Sequence, residues 1–428
     1  MALETREGRE KLVTASLLVA PLVVVVALTA LTSRQELSTV ASDLETYRGY
    51  AERLLAGATP YRGFALEYPP LALIPMAVPA IVADLFGGGP DTYAVAFATV
   101  QGLVAVLAGW LILRVAPRPI GALATWAVLV LAGAVSVAWR YDLWPAVTIL
   151  AAVVATERGR PGLAGVALGI GAAMKLFPIV ALPILVVRAV AIDDRAGLRR
   201  LVVATVVTLV AAGAGTALVA GDDALQPLAY QLDRGLQLES VGSGLLLLGH
   251  AVGGLPVAIT HQFGSLQVTA PGSDPLAATS SFVEAALVIV VTVVAATAFR
   301  RDVRLSGSIP LERTAEATAA VLVALLVGSK VFSIQYVVWF LPLVPLLRVP
   351  QRWLALAIVA CSTLVYPIGY EGLWQLDPAM IVVLDIRNAL LIGFLAWILL
   401  DLARRGAGST DETVRARGSR RSPGGAPA

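Results

Sequence analysis

The acidic residue best placed to do chemistry is Asp43, in the stretch Ser-Asp-Leu-Glu-Thr-Tyr at 42–47. It follows the end of a long apolar run at Leu31 by 12 residues, which keeps it within reach of a membrane surface. A carboxylate in that position can act as a general base toward a hydroxyl group. An aspartate ahead of Leu-Glu-Thr-Tyr also suits the N-cap of a short helix over 44–56. The spacing alone leaves both interpretations of Asp43 open.

Cations occur at several points where apolar runs end. Arg140 and Asp142 share the stretch Trp-Arg-Tyr-Asp-Leu-Trp-Pro, while Lys175 and Lys330 each separate two apolar runs. Charges at a membrane boundary are costly and tend to be functional. Convergent cations suit a phosphate carried on a lipid, because phosphate needs charge-assisted hydrogen bonds and arginine can supply two of them. The alternative is a set of solvated loop charges and internal salt bridges.

Other polar and aromatic residues could contact a sugar. Glu239, Glu371 and Asp377 are candidate partners for acceptor hydroxyl groups. Aromatic side chains can stack on sugar faces, and the candidates are Tyr47, Tyr68, Trp144, Tyr336 and Trp374. Aromatic belts at the membrane interface explain the same residues equally well. His250, in Leu-Leu-Gly-His-Ala, could contact substrate, but a lone histidine in such a stretch is more often structural.

The composition indicates the class of fold that holds these residues. Of 428 residues, 58% are hydrophobic and 14% are charged, and the mean hydropathy is +0.81. Soluble domains carry about 45–50% apolar and about 25% charged residues, so an ordinary soluble protein is excluded. One cysteine excludes a disulfide framework and a cysteine-cluster metal site. The sequence predicts an all-α polytopic membrane protein.

Arginine placement predicts the topology. Short loops rich in Lys and Arg stay in the cytoplasm, and such clusters hold 23 of the 32 basic residues. The other nine fall near the expected outer ends of spans. Apolar runs join the clusters in pairs and predict twelve spans with both termini inside, near 12–31, 93–113, 119–138, 142–156, 161–175, 177–190, 201–219, 281–299, 315–330, 334–347, 353–370 and 380–400.

Two apolar stretches do not fit that count. Residues 69–86 are interrupted by four prolines and 241–258 are rich in glycine, so we expect both to be re-entrant or to lie along the outer face. A single transmembrane catalytic domain then covers 1–400, with a first outer loop at 32–68 and a second at 220–280. Within the second, 264–279 suits an exposed loop. The basic Gly/Ser/Pro-rich tail at 401–428 is expected to be cytoplasmic and disordered, and its charge is ascribed to topology rather than to nucleic-acid binding.

The order of these motifs resembles glycosyltransferase family 87, in the GT-C superfamily of polyprenol-phosphate-sugar-dependent enzymes. The resemblance runs from about residue 40 to 340. The matching stretches are Asp43 to Tyr47, Gly57 to Tyr61, Glu67-Tyr68 to Leu71, Arg140-Tyr-Asp142, Met174-Lys175 to Pro178, Arg234 to Ser240, and Ser329-Lys330 to Gln335-Tyr336. It implies a GT-C-like helical bundle. Members include mannosyltransferases that extend phosphatidylinositol mannosides and arabinofuranosyltransferases of the cell wall.

The resemblance also implies a mechanism. A sugar, with mannose favoured, moves with inversion from a polyprenyl-monophosphate donor to a glycolipid or glycan on the outer face of the plasma membrane. An acid of the first outer loop is the base, and Asp43 matches that position. We expect Arg140, Lys175, Lys330 and Arg234 to bind the donor phosphate, and Tyr47, Glu67, Tyr68, Asp142, Glu239, Gln335 and Tyr336 to bind the acceptor or sugar. Neither a metal nor a cofactor is expected. The alternatives are arabinofuranosyl transfer, a lipid-linked sugar transporter or flippase, and a scaffold.

Overall fold

The computed structural model describes residues 2–32, 42–225, 231 and 233–404. Helices account for 79% of the structure. The helices are α1 (Ala2–Leu31), α2 (Ser42–Leu55), α3 (Leu73–Asp84), α4 (Pro90–Leu113), α5 (Pro119–Ala132), α6 (Ala134–Ala138), α7 (Leu143–Glu157), α8 (Pro161–Met174), α9 (Leu182–Ala191), α10 (Arg195–Ala220), α11 (Val241–Gly253), α12 (Ser273–Ser306), α13 (Leu311–Gly328), α14 (Val349–Thr363), α15 (Tyr370–Trp374) and α16 (Pro378–Arg404). Short 3₁₀ segments cover Pro70–Ala72, Phe177–Ala181, Gly221–Leu225, Ile334–Trp339 and Leu341–Leu346, and a π turn covers Leu364–Ile368. The predicted disordered tail lies outside the described residues from 405 onward.

The structure supports a polytopic helical membrane fold without confirming twelve spans. Among the described residues, six helices are long and apolar enough to cross a membrane, in α1, α4, α10, α12, α14 and α16. Several other predicted spans are shorter, because Gly133 interrupts 119–138 and 3₁₀ turns replace the α-helix at 177–181, 334–339 and 341–346. α3 and α11 have 12 and 13 residues, so each is about 20 Å long against a hydrocarbon core of about 30 Å.

The centre of the bundle is α13. Fourteen of its 18 residues are buried, and it packs against α9, α12 and α16. At the side of the bundle, the glycines of α8 allow this helix to pack closely against α10. A Cβ atom at Gly165 would overlap the backbone of Leu201 on α10, and one at Gly169 would lie 2.6 Å from Thr208 Cβ. Small residues at the contact between two helices are typical of helix packing within membranes.

One end of the bundle, here called the distal end, contains a buried ionic network. Arg313 Nε lies 3.2 Å from Asp302 Oδ2, and Arg313 Nη1 lies 3.4 Å from Glu316 Oε2. Arg348 joins Glu316 at 3.1 Å and also pairs with Asp401. The network links α12, α13, α14 and α16. The sequence predicted these arginines only as markers of cytoplasmic loops, and their carboxylate partners lie within the helices.

The opposite end carries a second, smaller hydrophobic core. It joins α11, α15 and the start of α16 to the strands β1 (Ala258–Gln262) and β2 (Ser265–Thr269). The strands form an antiparallel hairpin with Gln262 opposite Ser265. Phe263 and Gly264 both have positive φ, 51° and 63°, as a two-residue type I′ turn requires. The hairpin is a local departure from the predicted all-α fold, and the loop predicted at 264–279 instead holds β2 and the start of α12. The sequence did not indicate the hairpin, because a Phe-Gly turn lacks the usual Asn-Gly signal.

Candidate functional site

A cavity of about 1270 Å³ opens at the end of the bundle that carries the small core. Leu325 of α13 contributes to it, about 18 Å along the helix from Arg313 of the distal network. Nine of the twelve predicted site residues line this cavity: Asp43, Glu67, Tyr68, Arg140, Lys175, Arg234, Glu239, Gln335 and Tyr336. Segments far apart in sequence therefore converge on one site.

Asp43 is held by Arg140. It lies in the first turn of α2, where a carboxylate is favoured by the helix dipole, and its side chain is 33% exposed. Asp43 Oδ2 lies 2.9 Å from Arg140 Nε, and Arg140 also donates to the Tyr366 hydroxyl at 3.3 Å. The short helix predicted over 44–56 is confirmed, one to two residues earlier than expected. Asp43 lies inside that helix rather than at its N-cap, and its carboxylate reaches the cavity.

Lys175 sits in an aromatic box. Its Nζ donates to Asp142 Oδ1 at 2.7 Å, and the same oxygen accepts from Trp339 Nε1 at 2.6 Å. Four rings lie 4.8 to 6.0 Å from Nζ, those of Tyr68, Tyr141, Tyr336 and Trp339. Cation–π contacts of this kind stabilise an ammonium group by about 0.5–2 kcal/mol. Lys175 is thus fixed in direction while remaining at the cavity wall.

Three predicted site residues are not in the cavity lining given by the described part of the chain. Asp142 is fully buried beneath Lys175, so the direct acceptor contact expected for it is replaced by an ion pair. Tyr47 is 2% exposed and stacks on Phe97, with ring centroids 5.7 Å apart. Lys330 is half-buried, and its backbone carbonyl oxygen accepts a hydrogen bond from the backbone N–H of Gln237 at 3.0 Å.

Arg234 has a different environment from Arg140 and Lys175. Its guanidinium donates to Ser265 Oγ at 2.9 Å and to Gln237 Oε1 at 3.4 Å. Within the described residues, no carboxylate lies within ion-pairing distance of it, and its Nε is buried without a hydrogen-bond partner. The segment is positioned by β2, since Leu238 N donates to the Leu266 carbonyl at 2.9 Å.

Glu239 is a buried acid at the cavity wall. Its residue exposure is 3%, and its Oε2 accepts from Gln237 Nε2 at 2.9 Å. Arg387, fully buried in α16, donates to the Glu239 backbone carbonyl at 2.6 Å. Burial raises the pKa of Glu239 from its ordinary 4.5 to about 7, although Arg387 and Gln237 partly oppose that rise. This acid therefore exchanges its proton near neutral pH.

Glu239 should make folding stability depend on pH. The folded state keeps the Glu239 proton up to about pH 7, whereas the unfolded chain releases it near 4.5. The free energy of unfolding should therefore fall as pH rises between these values, by up to about 1.4 kcal/mol per pH unit. Thermal unfolding of wild type and Glu239→Gln between pH 5 and 8 would measure this. A decline of the same slope in both proteins would contradict the assignment.

Other functional candidates were missing from the sequence prediction. The hairpin places His261, Phe263 and Ser265 on the cavity wall, and the segment beyond α14 adds Tyr366 and Tyr370. The hairpin residues were missed with the hairpin itself. The two tyrosines fall where a continuous span, 353–370, was expected, so their sequence environment gave no reason to place them in a site.

Among the described residues, the cavity wall combines carboxylates, cations with and without a carboxylate partner, and aromatic rings, a combination that suits transfer of a sugar. The family model for Glycosyltransferase family 87 matches residues 66–329, more than half of the chain. Arg140, Lys175, Arg234 and Glu239 lie inside the matched range, and Asp43 lies before it. A search among curated proteins finds no match. The chain is a membrane protein that belongs to glycosyltransferase family 87.

Proposed function

We propose that this glycosyltransferase moves a sugar, with mannose favoured, from a polyprenyl-monophosphate donor to a hydroxyl group of a glycolipid or cell-envelope glycan. The observation that carries the proposal is the cavity at Asp43, which holds a carboxylate, nearby cations and an apolar flank in one place. The apolar flank includes Leu176, Ile179, Val180 and Leu325, beside Lys175. A lipid chain can lie against that flank while its phosphate meets the cations.

In the proposed step, Asp43 accepts the proton of the acceptor hydroxyl. The oxygen then forms a bond to the anomeric carbon on the face opposite the phosphate, and the carbon–oxygen bond to phosphate breaks. Polyprenyl phosphate leaves with the bonding electron pair, so one displacement inverts the anomeric centre. Arg140, 2.9 Å from Asp43, orients the base, and Lys175 lies where developing negative charge on the phosphate can be stabilised.

Arg234 is the strongest candidate for the donor phosphate. Arg140 and Lys175 already have carboxylate partners, Asp43 and Asp142, whereas Arg234 has only neutral hydrogen-bond partners in the described part of the chain. An anionic phosphate would supply the missing counter-charge. Desolvated cations are stabilised by such pairing, and guanidinium can bind two phosphate oxygens.

Removing the Arg234 guanidinium should therefore weaken donor binding. We expect Arg234→Met to raise the KM for the lipid donor roughly 10- to 100-fold, because a hydrogen bond to a charged group contributes about 1.5–3 kcal/mol. Arg234→Lys should recover part of this loss. Arg62→Met, which changes an exposed arginine outside the cavity lining, is the matched control. An unchanged donor KM in Arg234→Met would exclude this role.

The arrangement of charges supports an outer-face site. The arginines of the distal network belong to the loops expected in the cytoplasm, and the cavity lies at the other end of α13. Thr29, near the end of α1, accepts from Trp139 beside Arg140, so α1 begins at the distal end. α16 ends there too, at Asp401 of the network. With positive residues inside, the start of α1 and the end of α16 both lie on the cytoplasmic side, and the cavity faces the periplasm or cell exterior.

A donor comparison tests the function. The full chain in proteoliposomes would receive radiolabelled polyprenyl-phosphate-mannose or polyprenyl-phosphate-arabinofuranose, a mixed phosphatidylinositol-mannoside acceptor, and EDTA. Label on the acceptor from the mannose donor is the expected result. Transfer from the arabinofuranose donor alone would establish the alternative sugar. Movement of labelled donor across the bilayer with no transfer from either donor would overturn the proposal in favour of a flippase.

A further inference from the structure

Arg387 is a buried cation that the proposed transfer step does not use. It lies in α16 with none of its surface exposed, and its Nη2 donates to the backbone carbonyl of Glu239 at 2.6 Å. The flat face of the same guanidinium covers the Phe332 ring, with Cζ 4.2 Å from the ring centroid. One planar group therefore contacts two segments whose contact residues are 93 positions apart in the sequence.

A salt bridge does not explain the burial of Arg387. Within the described part of the chain, no carboxylate lies within ion-pairing distance of it, and its Nε and Nη1 are buried without a hydrogen-bond partner. Arg313 of the distal network is also buried, but it pairs with both Asp302 and Glu316. A buried charge without a paired partner costs stability. The contacts of Arg387 therefore indicate a role other than stabilising the bundle.

The first contact of Arg387 holds the segment 234–240, which brings three side chains to the cavity wall: Arg234, Gln237 and Glu239. This segment leads into α11, and α11 packs on α16. A Cβ atom at Gly244 of α11 would overlap Asp385 Oδ1 of α16, so glycine is required for this close approach. Arg387 follows Asp385 by two residues, and it therefore contacts the segment where the segment enters α11.

The second contact of Arg387 holds the segment 330–336 on the other side of the guanidinium. Phe332 packs on Tyr336, with the ring centroids 6.3 Å apart and the rings nearly parallel. The Tyr336 ring in turn lies 4.8 Å from Lys175 Nζ and lines the cavity. A chain of ring contacts therefore connects Arg387, inside the bundle, to the aromatic box of Lys175.

We infer that Arg387 is a positioning residue that holds Arg234 and Lys175 in a fixed relation across the cavity. The two segments are also joined by a backbone hydrogen bond, from the Gln237 N–H to the Lys330 carbonyl at 3.0 Å. One such bond permits rotation about it, whereas a planar guanidinium held at its edge and its face opposes that rotation. This inference rests on the proposed transfer function, because both cations are placed there near the donor phosphate.

A double-mutant cycle tests the inference. The Kd for polyprenyl phosphate would be measured on the full chain in nanodiscs for wild type, Arg387→Met, Arg234→Met and the double variant. We expect Arg387→Met to raise the Kd about tenfold. The double variant should match Arg234→Met within about twofold, because Arg387 acts through Arg234. An unchanged Kd in Arg387→Met, or effects that multiply in the double variant, would overturn the inference.

Backbone hydrogen exchange separates this inference from the proposed function. We expect Arg387→Met to speed deuterium exchange about tenfold in peptides that cover 234–240 and 330–336, because both segments lose a common contact. That result supports the positioning role even where polyprenyl phosphate does not bind, in which case the donor proposal alone fails. Unchanged exchange in both peptides overturns the positioning role and leaves the transfer proposal intact.

Arg188→Met is the matched control for loss of a buried arginine. Arg188 of α9 pairs with Glu157 at 2.9 Å and donates to Thr314, beside Arg313 of the distal network. This variant should unfold at a lower temperature without changing the Kd or the exchange of either peptide, and changes equal to those of Arg387→Met would overturn the inference. Arg387→Lys keeps the charge without the planar face, and it decides the question where Arg387→Met fails to fold. A wild-type Kd and wild-type exchange in Arg387→Lys would then overturn the inference.

Discussion

Replacing Asp43 with Asn is expected to lower kcat by about 10²–10⁴-fold, the usual contribution of a positioned general base. The amide keeps the size of the carboxylate and can still lie beside Arg140, but it cannot accept the acceptor proton. Donor KM should change little, because Asp43 is not placed at the phosphate. Initial rates at saturating donor and acceptor would measure the effect.

Glu45→Gln is the matched control for Asp43→Asn. Both acids lie in the first turn of α2, but Glu45 is exposed and is not among the cavity-lining residues of the described chain. The control should retain wild-type turnover and the wild-type thermal unfolding temperature, and Asp43→Asn should stay folded although Arg140 loses its carboxylate partner. A turnover rate for Asp43→Asn within a few-fold of wild type would contradict the role of Asp43 as the general base.

Replacing Glu316 with Ala should cost about 3–5 kcal/mol of stability, the cost of removing one partner from a buried ion pair. Glu316 is fully buried and is shared by Arg313, Arg348 and Gln351, with contacts of 3.4, 3.1 and 2.8 Å. Its loss leaves two arginines of the distal network under-neutralised inside the bundle. The measurement is the thermal unfolding temperature in one detergent at one pH.

Glu312→Ala provides the comparison on the same helix. Glu312 lies one turn before Glu316, its side chain is 39% exposed, and it contacts Arg348 at 3.4 Å. Partly exposed pairs contribute about 0–1 kcal/mol, so this variant should unfold near the wild-type temperature. If the two variants lose stability equally, the distal network does not have the energetic role inferred for it.

The sequence allowed prediction of the residues better than of their pairings. Asp43, Arg140 and Lys175 were chosen because they are polar groups at the ends of apolar runs, and all three line one cavity. Their partners could not be derived, because the Asp43–Arg140 pair joins positions 97 residues apart and the Lys175–Asp142 pair depends on how α7 and α8 pack. Sequence spacing gives no information on such tertiary contacts.

For the fold, too, some features could be predicted from the sequence and others could not. Hydrophobic runs predicted the membrane helices, since long apolar segments have few alternatives in a bilayer. The count of spans was harder to predict, because the apolar runs at 177–190 and 334–347 contain 3₁₀ turns that mean hydropathy does not detect. The hairpin was missed for a local reason. Its strands are five residues each, and their turn uses Phe263-Gly264.

The separation of the two hydrophobic cores has a consequence for the energetics of opening. Ten buried residues form the small core that supports the hairpin and α15, whereas the large core encloses α13 and most of the bundle. Local opening requires less free energy where fewer apolar contacts must be broken. The cavity wall formed by the hairpin and α15 should therefore open locally at a lower cost in free energy than the bundle that holds Lys175.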